Sequence, residues 1–421
     1  MVISFDSGTT NTKAFLFNGN GEMVASSSHP TPTYHRGPGM VEQNAEDWWK
    51  SMSIAAEKLY SGHGWSPGEI EAIGISSQGG TFVPLGMKNE PLRPAVTWLD
   101  NRGESEAEKI SSGRDPDFFY KKTGHYIKGW SPPAAIRWIA QNEPSVRNST
   151  ARISFVADYL NYMLTGRFFI DPTSAQMSCL YNIRTGTWDS EIMDISCIGE
   201  NNLPCLLGSN TVGGATGREV SEMLHLREGT PVVSGGHDQY CASIGVGADE
   251  KGDCLLSCGT AWVLLITSDR LLCLPGKGWT PGRHTAEGMF GLMASIGNSG
   301  IILEWMRNNL KIDRSEKPSE TRVVVVPDFS RGAGSVSNIS LSTTGTEIYR
   351  AAMESLVYRL KKRLEEVDAE NPVKRLFMVG GATREPFLPD MVRKITKRDL
   401  LMPDITEAAG RGAAILAINR K

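Results

Sequence analysis

Asp6, Gly8, Thr9 and Thr10 stand together near the start of the chain, with Lys13 just beyond, and Cys258-Gly259-Thr260 repeats the pairing of glycine and hydroxyl much later. A glycine lets backbone approach a ligand closely because it carries no side chain. The N–H groups that follow it, together with the hydroxyls of Thr9, Thr10 and Thr260, can donate to phosphate oxygens as an anion nest. A nucleoside triphosphate arrives with Mg²⁺, which takes oxygen ligands and keeps several waters. Asp6 suits such an ion, held through its waters, and Lys13 can supply a counter-charge. The chain has no GxxxxGK[ST] run, so this is not the P-loop solution to the same problem.

Both clusters sit at hairpin tips. "ISFDSGTTNTKAFLF" reads as strand, tight turn, strand, and "GDCLLSCGTAWVLLITS" has the same layout. A unit that occurs twice suggests two similar domains facing each other across a cleft, each tip holding a polyphosphate from its own side. The border falls near Ala248, giving domains 1–248 and 249–421. Helical periodicity marks "NAEDWWKSMSIAAEKLYSG", with Asn44 as N-cap, a long helix at about 344–366, and a last helix in "ITEAAGRGAAILAI". "TPVVSGGHDQYCASIGVGA" starts as a strand, breaks at Gly235-Gly236 and continues as a buried helix after Asp238.

A length of 421 residues suits two domains, and 40% hydrophobic with 22% charged residues is ordinary for a globular chain. The formal net charge of −3 offers no basic footprint for nucleic acid. Seven cysteines without a CxxC pair suit reduced thiols. No apolar run reaches the roughly eighteen residues a membrane span needs, and a strand at the first residues leaves no place for a signal peptide. The expectation is a cytoplasmic protein.

The segments "FDSGTTNTKAFLF", "PGMVEQNAEDWW", "IGISSQGGTFVPLG", "PLRPAVTWLDNRG", "LTGRFFIDPTSA", "GGHDQYCASIGVGA", "LLSCGTAWVLL", "VGGATREPFL" and "ITEAAGRGAAILA" together resemble the FGGY family of carbohydrate kinases, within the actin–hexokinase–Hsp70 superfamily. The resemblance implies an α/β fold of two ribonuclease-H-like (actin-like ATPase) domains flanking an active-site cleft, with sugar bound mainly by the first domain and ATP by the second. It implies ATP and Mg²⁺ as cofactors, a small sugar or polyol as partner, and compatibility with a homodimer.

Residue by residue, the resemblance makes Asp238 the general base that takes a proton from the acceptor hydroxyl; read locally, Asp238 is also a good helix N-cap. Gln78 and Gly79 resemble the sugar-binding turn, although many relatives carry Gln-Met-His-Gly where this chain has Gln78-Gly79-Gly80-Thr81. Trp98, Asp100 and Arg102 resemble a Trp-x-Asp-x-Arg sugar motif: an apolar wall, an acceptor and a donor on one face of an extended segment. Gly8, Thr9, Thr10, Lys13, Gly259 and Thr260 fall to the phosphates, and Gly300, Gly380, Gly381 and Ala382 to the rest of ATP. Asp6 is the Mg²⁺ residue. Glu385 stands where relatives often present Asn to adenine.

The acceptor is expected to be a ketose of the xylulose, ribulose or fuculose kind in preference to glycerol. The rival readings are a catalytically silent sensor of sugar or nucleotide and an actin-like filament protein. The chain is shorter than typical relatives, mainly between Trp305 and Arg331, so oligomeric state and regulation do not carry over.

Overall fold

The computed structural model describes residues 1–297, 299–312, 321–329 and 332–421, so part of the shortened stretch 305–331 lies outside the described residues. Two compact units form: one comprises 1–245, 273–291 and 407–421, the other 246–272 and 292–406. In this division the last helix returns to the first unit. Glycines permit that return. A Cβ at Gly74 would lie 2.3 Å from the carbonyl oxygen of Ala413, and one at Gly412 would lie 1.8 Å from that of Cys241. The helix Ala408–Ile418 thus lies directly on the backbone beneath it.

The first unit is built on a sheet whose strands run in the order Val212–Ala215, Pro231–His237, Ala72–Ser77, Val2–Ser7, Asn11–Phe17, Met23–Pro30. Val2–Ser7 pairs antiparallel with Asn11–Phe17 and parallel with Ala72–Ser77, which in turn pairs parallel with Pro231–His237. Alternate residues of these strands meet the helix Ala45–His63, whose buried stripe includes Trp48, Met52, Ala55 and Leu59. A periodicity of three to four residues places that stripe on one face.

One sequence expectation changes here. The strand at 231 does not break at Gly235-Gly236 but runs on to His237, with a register shift between Val233 and Gly236. A Cβ at Gly235 would lie 1.8 Å from the carbonyl oxygen of Ile75, so the glycine is what lets the bulged strand stay paired. The bulge re-aims the end of the strand, and the helix Asp238–Val246 starts at once.

The second unit repeats the hairpin-plus-parallel-strand plan. Its strands run Phe290–Ser295, Trp262–Ser268, Asp253–Cys258, Arg375–Val379, Asp399–Leu401. Asp253–Cys258 is antiparallel to its hairpin partner Trp262–Ser268 and parallel to Arg375–Val379. The helix Gly345–Asp368 buries Ala352, Leu356, Leu360 and Leu364. Thr344 caps it, accepting from the Glu347 N–H at 3.2 Å while its own N–H reaches the Glu347 carboxylate at 2.8 Å. All seven cysteines are free thiols, and no described helix is long and apolar enough to cross a membrane.

Candidate active site

In the first unit, the carboxyl ends of three neighbouring parallel strands bring the chemistry together. Asp6, Ser76 and Gly236 stand at one level across those strands. Ligands of open α/β sheets bind at this end, where the chain leaves the strands. The Ser76 hydroxyl donates to the Asp6 carboxylate at 3.0 Å. Asp238 follows two residues beyond Gly236, at the first position of its helix. Its Oδ1 is buried without a hydrogen-bond partner among the described residues, and the His237 ring nitrogen Nδ1 lies 3.3 Å away without hydrogen-bond alignment. Burial pushes the Asp6 carboxyl up to about 7, and the negative charge of Asp238 pushes the same way, against the pull of Ser76 and Lys13. Two carboxylates that disfavour each other's charge suit a site that receives a cation.

Lys13 is the cross-strand neighbour of Asp6, so both side chains share a face of the sheet. Its ammonium pairs with Glu407 at 2.7 Å.

The turn at Gly8–Thr10 is held from several sides. The Gly8 N–H donates to the Asn11 carbonyl at 3.0 Å, closing the turn. The Thr9 carbonyl accepts from the Gln43 amide at 2.7 Å and from the Thr33 hydroxyl at 3.2 Å. Gln43 is fixed in turn by the indole N–H of the core residue Trp48, at 2.9 Å. The Thr9 hydroxyl donates to Gln78 at 3.1 Å and accepts from the Trp98 indole N–H at 2.9 Å. Thr10 is exposed, its hydroxyl accepting from the Asn11 amide at 3.2 Å.

Gln78, Asp100 and Arg102 were expected to touch the acceptor; the structure turns all three inward. The Gln78 amide group donates to Gln43 at 3.0 Å, and its oxygen accepts from Thr9 and Thr81. The Asp100 carboxylate, fully buried, accepts from the Val41 N–H at 2.7 Å and from the Arg102 backbone and guanidinium at 2.8–2.9 Å. Arg102 also reaches Glu42 at 2.7 Å, and Glu42 pairs with Arg93. A charged pair removed from water needs its lone pairs and N–H groups satisfied, and this network satisfies them internally. These residues position Trp98, which is 44% exposed and so free to contact a ligand. Gly79 does sit at a close approach: a Cβ there would lie 2.5 Å from the Met177 side chain and 2.7 Å from the His237 ring.

In the second unit, a cavity of about 190 Å³ is lined by Gly259, Thr260, Gly300, Gly381, Ala382 and Glu385. Gly380, at φ +95°, turns the chain beside the Cys258 backbone, where a Cβ would lie 2.6 Å from the carbonyl oxygen. Gly300 does the same for the tip itself, since a Cβ would lie 2.0 Å from the Gly259 oxygen. Gly300→Ala is expected to push the Gly259–Thr260 turn aside. Backbone cannot yield as a flexible side chain can, so the cost is about 1–3 kcal/mol of stability. Nucleotide affinity measured calorimetrically should fall about tenfold. Affinity equal to wild type would show that the tip does not bear on the nucleotide.

The N-terminal domain model of the FGGY family of carbohydrate kinases matches residues 1–245, and the C-terminal domain model of that family matches 254–419. The chain belongs to the FGGY family of carbohydrate kinases. FGGY relatives include a glycerol kinase of Janthinobacterium sp. (strain Marseille), 27% identical over 450 residues, covering 99% of this chain and 89% of the relative. A gluconokinase of Bacillus subtilis (strain 168) is 24% identical over 458 residues, covering 99% and 87%. Among solved structures, a xylulose kinase from Rhodospirillum rubrum superposes with a TM-score of 0.91 at 24% identity, covering 99% of this chain and 89% of that one. Plasmodium falciparum glycerol kinase with ADP gives 0.90 at 24%, covering 99% and 88%. The two-domain α/β fold of FGGY kinases is therefore the fold of this chain, an enzyme class that transfers phosphoryl groups to alcohols.

Gln43, Ser76 and Glu407 were not singled out as site residues from the sequence. Gln43 lies within a family segment, yet nothing local says that its amide holds the Thr9 carbonyl. No group of three or more His, Cys, Asp or Glu side chains that could hold a metal occurs among the described residues. Asp6 with Asp238 nearby fits an ion that keeps its waters and takes its remaining ligands from phosphate.

Proposed function

We propose that this FGGY enzyme transfers the γ-phosphoryl group of ATP to a hydroxyl of a small sugar or polyol. The observation that carries the reading is the Asp238 carboxylate: partly exposed, one oxygen buried and unpartnered, and close enough to Asp6 to raise its pKa. Asp238 takes the proton of the acceptor hydroxyl as that oxygen bonds to the γ-phosphorus. The bond from the γ-phosphorus to the β,γ-bridging oxygen breaks, and ADP leaves with that electron pair. Asp6 would hold Mg²⁺ through water, and the ion would offset charge on the phosphate oxygens. Thr10 and the Gly8 turn hold phosphate from the first unit; Gly259 and Thr260 hold it from the second. Lys13 adds positive charge once its share in Glu407 is loosened. Gly300, Gly380, Gly381 and Ala382 shape the place for the nucleoside.

We further propose a ketose acceptor over glycerol. The bare turn Gly79-Gly80 presents no side chain for a three-carbon polyol, and the His237 and Met177 side chains close over it. Trp98 offers the apolar wall. The test is a coupled ADP assay against ketoses, aldoses, aldonates, glycerol and larger polyols. The highest kcat/KM is expected on a ketose. Glycerol turned over best would overturn the acceptor class alone. ATP binding with no ADP from any acceptor would favour the silent sensor instead.

A further inference from the structure

A second cavity, of about 610 Å³, lies in the first unit among residues the reaction does not use. Two arginines line it. Arg152 opens the strand Arg152–Phe155, and Arg167 follows the left-handed Gly166 that ends the helix Val156–Thr165. The guanidinium carbon of Arg152 lies 4.3 Å from the centroid of the Phe168 ring, which itself stacks on Tyr162 at 4.2 Å. The ring holds that guanidinium in place. Yet Arg152 makes no side-chain hydrogen bond or ion pair with a described residue, and its Nε is shielded from water. The acid nearest in sequence, Asp158, feels the Arg152 charge but makes no ion pair with it, its oxygens taken by Ser154 and the Phe155 N–H, both at 2.6 Å. The Arg167 side chain is exposed and likewise has no partner among the described residues. A shielded donor of a charged group left without an acceptor is costly, and such groups are ordinarily satisfied by a ligand or water.

The remaining lining is mixed, with Thr187 and Asn201 beside an apolar part. Phe168, Trp188, Leu203 and Leu206 form it, and the Trp188 ring is fixed by its N–H donating to the Pro204 carbonyl at 3.0 Å. The acid on the lining, Glu200, is exposed. Two guanidinium groups match a dianion better than a single carboxylate, since a planar fork pairs phosphate oxygens two at a time. The apolar lining suits a carbon body attached to that dianion. We infer that this cavity is a binding site for a phosphate monoester, with the phosphate between Arg152 and Arg167 and the organic group over Phe168 and Trp188. The phosphorylated product of this enzyme and an unrelated phosphate ester share that chemistry.

Isothermal calorimetry on the full chain tests it, with Mg²⁺ and ADP saturating the nucleotide site. Phenyl phosphate, the sugar phosphate the enzyme forms, and inorganic phosphate are titrated separately. One phenyl phosphate is expected to bind per chain, more tightly than inorganic phosphate. Arg152→Gln and Arg167→Ala should each weaken it at least about tenfold while ADP affinity stays unchanged. The product also enters the reaction site, so it counts as the source only if Arg152→Gln and Arg167→Ala weaken its binding; tightest binding by phenyl phosphate identifies another ester, and either result supports the site. No binding to wild type, or equal binding to both variants, overturns it. Arg167 is exposed, so its variant carries the test even if Arg152→Gln fails to fold.

Discussion

Asp238→Asn lowers acceptor-dependent ADP formation by about 10²- to 10⁴-fold, the usual worth of a positioned general base. The amide keeps the shape of the carboxylate at the first position of the helix Asp238–Val246, so the loss isolates the proton-accepting oxygen from the fold. Nucleotide affinity is expected to survive, because the cavity of the second unit does not include this residue. Steady-state kcat with the best acceptor, set beside calorimetric ADP binding, checks both halves. A kcat within a few-fold of wild type would remove Asp238 from the chemistry. A further consequence follows from charge: with Asp238 neutral, one of the two main influences raising the Asp6 carboxyl is gone, so Asp6 should titrate below about 7.

Asp6→Asn should separate stability from activity. In the folded chain the Asp6 carboxyl titrates near 7 against an ordinary 3.8, so between those values the folded state holds a proton that the unfolded state has released. Stability from this group therefore declines as pH rises from about 4 to about 7, and is level above that. The Asn variant, which carries no charge to bury, is expected to melt higher than wild type at pH 8, with the gap closing toward pH 4. Its activity moves the other way: kcat/KM should drop about 10²-fold, the scale of losing one preorganised electrostatic partner of the transferring group. Wild type should also release protons on binding Mg²⁺ and ADP near pH 6.5, seen as binding heat that depends on the buffer, and the variant should not. Equal melting temperatures at pH 8 would sink the claim that Asp6 is held against its charge.

The comparison of Trp98, Asp100 and Arg102 shows where reading along the chain stops. Alternation put the three on one face, and the structure instead presents the indole while burying the acid and the base. The reason is long-range. The acceptors and donors that satisfy Asp100 and Arg102 come from Val41 and Glu42, which the sheet brings beside them. A residue's local spacing carries no information about that neighbour. The Gln78 amide is likewise taken up by distant neighbours, Gln43 and the Thr9 turn.

What the sequence determined by itself was local. The hairpin tips at Gly8–Thr10 and Gly259–Thr260, the strand that leads into Asp238, and the amphipathic helices follow from turn chemistry and periodicity, which act over a few residues. The repeat of the tips gave two units, and the family motifs gave the fold. Tertiary structure alone decided the rest: the meeting of Asp6 with Asp238, the pairing of Lys13 with Glu407, and the return of the last helix to the first unit. Those depend on which strands lie side by side and in what register, because charge and hydrogen bonding fall off within a few ångströms while the partners stand hundreds of residues apart in the chain.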